Sequence, residues 1–84
     1  MNQIQPQIVY EADTSIQCLK FSHNGKFLGI GLEKGCNLYF WEKQKTVKFS
    51  SQHDDRIYSI VFSPNNKLIC TFSFSFVFKI HNIN

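Results

Sequence analysis

Three cysteines, three histidines and one pair of adjacent aspartates are the side chains in this 84-residue sequence with the most chemistry to offer. Cys18, Cys36 and Cys70 are odd in number and far apart, with no CxxC and no Cys/His spacing that resembles a zinc site. A catalytic thiolate would need a base or cation beside it, and no spacing here supplies one. Free thiols point instead to a reducing compartment. His23, His53 and His81 could serve acid–base or metal chemistry, but no carboxylate, serine or cysteine can be set beside them from spacing. Asp54 and Asp55 are chain neighbours whose side chains would diverge on a strand, so a solvated turn suits them better than a carboxylate dyad. Gly25, Gly29, Gly31 and Gly35 form no phosphate loop, because no helix pattern follows them. These residues imply no enzyme, no metal site and no cofactor.

The formal net charge is +3 and is spread along the chain. Its densest stretch is Lys43, Lys45 and Lys48, whereas a nucleic-acid footprint is usually a concentrated stripe. A small nucleic-acid-binding β-domain, using those lysines with Tyr and Phe, is the alternative reading. The first residues, MNQIQPQIVYEAD, lack the charged and apolar regions of a secretory signal. No run approaches the length of a membrane-spanning helix. A cytoplasmic or nuclear location is expected.

The elements that must carry these residues follow from an internal repeat. Ile16–Gly29 (IQCLKFSHNGKFLG) aligns with Ile57–Cys70 (IYSIVFSPNNKLIC) at an offset of 41 residues without a gap, and five of fourteen positions are identical. About one identity would arise by chance from ordinary composition. In each copy a strand pattern runs into a turn, SHNGK or SPNNK, and then into a second strand, Phe27–Gly31 or Leu68–Ser73. Asn and Gly tolerate positive φ and Pro presets a negative one, so these are turn residues for mechanical reasons. Asn37–Trp41 and Thr46–Ser50 read as further strands. No stretch holds a helical period with caps. Nine Phe, three Tyr and one Trp strengthen the β reading. The expected class is all-β, with Phe21 and Phe62 in the same place in successive units.

The segment SQHDDRIYSIVFSPNNKLICT resembles the opening of a Trp-Asp (WD) repeat. His53, Ile57, Phe62, Ser63 and Pro64 fall on that pattern. The first copy looks like the same repeat, ending in Trp41-Glu42 with Glu in place of Asp. The repeat length also fits a propeller blade. The resemblance implies two propeller-like antiparallel blades, an incomplete β-propeller. It implies an N-terminal segment over 1–14 with an outer strand at Ile8–Tyr10, a first blade over 15–50, and a second, incomplete blade over 51–84. It also implies a hydrogen-bonded network of His, Ser/Thr, Asp and Trp. His53 and Thr71 hold the first two positions in the second blade, with Ser75 near the Asp position and His81 at the Trp position. In the first blade Trp41 is present, but Ala12 and Ile30 hold the His and Ser/Thr positions, and the Asp position falls around Lys34 or Gly35. Neither blade has the whole network, so aromatic packing is expected to hold both, with Trp41 largely buried between blades.

The function implied is a non-catalytic protein-interaction scaffold for a protein or peptide partner, with no membrane role. Rim-loop residues His23, Asn24, Asp54, Asp55 and Arg56 are the expected contacts. The run TFSFSFVFKI, Thr71 to Ile80, reads either as a hairpin without good turn residues or as one long strand. Its phenylalanines suit core packing between sheets better than an exposed face for a partner. Two blades leave faces without neighbours, so self-association, or completion of the propeller by another chain, is expected.

Overall fold

The computed structural model describes residues 11–12, 14–33, 35–49 and 55–83. Among them are seven strands and no helix: β1 (Cys18–Phe21), β2 (Phe27–Gly31), β3 (Cys36–Phe40), β4 (Lys45–Lys48), β5 (Ile57–Phe62), β6 (Leu68–Ser73) and β7 (Phe78–Asn82). They form two antiparallel meanders, a four-stranded sheet in the order β1-β2-β3-β4 and a three-stranded sheet in the order β5-β6-β7. The all-β, two-sheet architecture expected from the repeat is the one observed. The stretch 1–10, with the expected outer strand Ile8–Tyr10, lies outside the described residues.

Three of the five repeat identities, Ser22/Ser63, Asn24/Asn65 and Lys26/Lys67, are turn builders. Ser22 Oγ accepts the amide of Phe27 at 3.1 Å, and Asn24 Oδ1 accepts the Ser22 hydroxyl at 2.7 Å and the Lys26 amide at 3.0 Å. Ser63, Asn65, Lys67 and Leu68 repeat that pattern at 3.0 Å, 2.6 Å and 3.0 Å. The left-handed residue each turn requires is Gly25 in one copy and Asn66, at φ 62°, in the other. Both types occupy that region cheaply.

The core lies between the sheets. Ile57, Ile60, Phe62 and Ile69 of the second sheet pack against Cys36 and Leu38 of the first. Two glycines on β2 permit the approach. A Cβ on Gly29 would lie 3.2 Å from Ile60, and one on Gly31 would lie 2.9 Å from Ile57 and against Cys18 Sγ. The contact is further fixed by the Ile57 amide, which donates to the Leu32 carbonyl at 3.1 Å. The buried members of this core are mainly aliphatic, with Phe62 among them and Phe27, Phe40 and Phe49 partly buried against it, so aromatic packing contributes here without being the main component that was expected. A second group of aromatic side chains lies on the other side of the first sheet, for a reason of register. Phe21 faces away from the second sheet and stacks on Trp41 at 5.9 Å, while Tyr39 meets Trp41 edge-on at 5.4 Å.

Thr71 to Ile80 is a hairpin and not one long strand. The Ser73 amide donates to the Val77 carbonyl and the Phe76 amide to the Ser73 carbonyl. This is the three-residue loop in which a left-handed residue, normally Gly, stands third. Here Phe76 takes that place at φ 66°, with its side chain 99% exposed. A left-handed conformation costs an ordinary residue about 1–2 kcal/mol, and this ring has no packing to offset it. Phe76→Gly is therefore expected to stabilise the chain by about 1 kcal/mol, read as a higher midpoint in thermal denaturation. A lower midpoint would show that the ring contributes through contacts the exposure does not reveal.

Candidate functional site

The two loops expected to contact partners behave differently. His23 and Asn24 knit the sheets together. His23 Nε2 lies 3.1 Å from the Phe62 carbonyl oxygen, and the Asn24 amide donates to Asn66 Oδ1 at 3.3 Å. These bonds cross from one turn to its repeat counterpart, so both residues join the two sheets through their equivalent ends. His53 and Asp54 lie outside the described residues. Asp55 accepts the Arg56 amide at 2.7 Å and stands 3.7 Å from the Arg56 guanidinium. The guanidinium in turn lies 4.9 Å over the Phe74 ring.

That ring opens a surface that sequence reasoning assigned to the core. On the face of the second sheet turned away from the first, Phe78 meets Phe72 at 5.8 Å, Phe72 meets Tyr58 at 6.2 Å, and Tyr58 meets Phe74 at 5.1 Å. Tyr58, Phe74, Phe78 and Ile80 are all exposed, so the expected core packing of the Phe-rich run is corrected. The physical reason is alternation. The hairpin sends Thr71 and Ser73 inward, where both are fully buried, and Phe72 outward. The signal available in the sequence was this period-two pattern, TxS against xFx, with small polar residues on one face and rings on the other.

Trp41 is half-buried and lies in the turn after β3, against Leu28, Ile30 and Tyr39 on the side of the first sheet away from the second. It does not pack between the two described sheets, which corrects that expectation. Phe21 and Phe62 do hold the same register place, opposite Leu28 and Ile69. Their cover differs, since Phe21 is 56% exposed and Phe62 3%.

Of the positions the resemblance assigns to a polar network, His53 lies outside the described residues and Thr71 is fully buried. Ser75 Oγ bonds Ser73 Oγ at 2.6 Å, whereas His81 Nε2 is a buried atom without a hydrogen-bond partner. The His81 ring packs on Phe49 at 4.6 Å, in a cleft of about 370 Å³ between β3–β4 and β7. Burial and, secondarily, the charge of Lys79 lower its pKa. A histidine with a folded pKa below its unfolded one resists protonation in the folded state. The unfolded chain then takes up the proton first, so stability falls as pH drops below about 6.5 towards the folded value. His81→Phe is expected to remove that acid sensitivity and the orphaned nitrogen together. Thermal melts at neutral and mildly acidic pH test this, and an unchanged pH dependence would exclude His81 as its source.

Cysteine nucleophilicity finds no support in the geometry. Cys36 is buried, and its thiol is pushed up to about 12 by that burial and by neighbouring Cys18. Burial raises Cys18 as well. Neither provides the lowered pKa of a reactive thiolate. The lysine patch is split, because Lys45 pairs with Phe40 and Lys48 with Asn37, which face opposite sides of the sheet. Among the described residues no group of three His, Cys, Asp or Glu could hold a metal ion, and no helix is long and apolar enough to cross a membrane.

A family description, WD domain, G-beta repeat, matches residues 43–82. Residues 43–82 are similar to one WD40 repeat. The match begins just before β4, the last strand of the first sheet, and runs through β5, β6 and β7. The WD40 unit in sequence is thus out of phase with the sheets in space and links them covalently. No curated protein matches the chain.

Proposed function

We propose that this WD40 chain is a non-catalytic scaffold that binds a protein or peptide through the outer face of its second sheet. The observation that carries the reading is the aromatic row Phe78, Phe72, Tyr58 and Phe74, left open to solvent and rimmed by the Arg56 cation. Contiguous exposed apolar surface of this kind marks interaction sites on folded proteins. Aromatic side chains and arginine are also the types enriched where protein interfaces hold their binding energy. The row offers neither a nucleophile nor an acid–base pair, so recognition and not bond chemistry is what it can perform.

Selection of a displayed random-peptide library on the immobilised chain tests this. Retained peptides are expected to lose binding on Tyr58→Ala or Phe74→Ala and to keep it on Val47→Ala, a control on β4. Retention that is indifferent to the aromatic row, or no retention at all, would overturn the reading.

A further inference from the structure

The two outer faces of the molecule are the two halves of its own buried interface. The 41-residue repeat makes Ile16, Leu19 and Phe21 the counterparts of Ile57, Ile60 and Phe62. The first three are 46%, 55% and 56% exposed, and their counterparts 0%, 3% and 3%. The other side obeys the same rule. Register sets Phe78 and Ile80 on β7 at the places of Cys36 and Leu38 on β3, since Leu68 pairs with Asn82 as Phe27 pairs with Phe40. Phe78 and Ile80 are 61% and 60% exposed, against 4% and 2% for Cys36 and Leu38. Each of these five exposed apolar residues occupies a position that, in the other repeat, is covered by a neighbouring sheet.

We infer that the chain associates head to tail with a second copy of itself, the outer face of the second sheet (Phe78, Ile80) packing on the β1 strip of the next copy (Ile16, Leu19, Phe21). This deepens the scaffold reading, since it gives the aromatic row a defined partner. The contact repeats the intramolecular one, so it is heterologous: one face meets a different face, and each copy keeps one of each. Two identical Phe-rich faces have no such internal precedent. One difference makes the contact looser than its intramolecular parent. The counterpart of Gly31, which lets Ile57 approach, is Phe72. The ring holds the second copy further off, so association is expected to be reversible and concentration-dependent.

Sedimentation of two surface-blocked variants decides the matter. Leu19→Lys with Phe21→Lys blocks the β1 strip, and Phe78→Lys with Ile80→Lys blocks the opposite face. The unaltered chain is expected to grow in mass from low to high micromolar concentration. Each blocked variant alone should remain a single chain, and an equimolar mixture should give a two-chain species and stop there, because the remaining faces are blocked. Milder replacements, Leu19→Thr and Ile80→Thr, repeat the experiment if the lysine variants lose their cooperative melt. Self-association of either blocked variant alone would show that a face meets itself and would overturn the inference. So would a mixture that stays monomeric, or an unaltered chain that never associates. In those cases peptide retention by the aromatic row still stands or falls by its own assay.

Discussion

Gly31→Leu is expected to abolish cooperative folding. Strand propensity alone argues the other way, because glycine inside a strand costs about 0.5–1 kcal/mol relative to alanine. At this position even a methyl group would press on Cys18 Sγ and lie 2.9 Å from Ile57. Neither neighbour is free to retreat. Cys18 is on β1, paired opposite Gly31, and its thiol bonds the Ile57 carbonyl at 3.5 Å. Ile57 is anchored by its amide to Leu32 and is wholly buried. Forcing a leucine into such a contact costs about 1–3 kcal/mol or more. A core this small supplies only about 3–5 kcal/mol in total. Thermal denaturation followed by circular dichroism should show a broad, early transition, and Gly31→Ala a smaller loss. A Gly31→Leu variant that melts like the parent would mean that the sheets do not approach as closely as the structure shows.

The second large effect compares one repeat position in its two settings. Ile60→Ala should destabilise by about 2–5 kcal/mol, as expected for removing most of a buried isoleucine side chain. Leu19→Ala, at the counterpart position on β1, should change stability by no more than about 0.5 kcal/mol. The residues match in repeat register and differ in cover, 3% exposed against 55%. Chemical denaturation at concentrations where the chain is monomeric measures both. Equal effects would mean that the inter-sheet contact contributes little to the folded state.

What could be read from the sequence was whatever the chain decides locally. β2 and β6 fall at Phe27–Gly31 and Leu68–Ser73, the bounds their turns predict. Ser22, Asn24 and Lys26 recur as Ser63, Asn65 and Lys67 because each turn is built from its own side chains and amides. What could not be read was which apolar face has a neighbour. In a repeat sheet both faces carry apolar residues, so alternation alone does not separate Phe62, which is covered, from Phe21, which is not. The same ambiguity misplaced the phenylalanines after Thr71 and the expected burial of Trp41. Gly29 and Gly31 were legible as members of the strand Phe27–Gly31 and as glycines without a phosphate loop. Their use, thinning one face of β2 so that a second sheet can come close, depends on a contact between residues far apart in the chain.

Every strand pairing among the described residues joins consecutive strands. That topology has a kinetic consequence. Hairpins of this kind close in roughly 1–10 μs, and proteins dominated by such short-range pairings fold quickly for their strand content. Among the described residues, the event that joins distant parts of the chain is docking of the three-stranded sheet onto β1 and β2. The transition state for folding is therefore expected to lie at that docking step. Substitutions at Ile57, Ile60 or Gly31 should slow refolding, while those in the Phe74–Val77 turn should mainly alter how fast the last hairpin opens and recloses.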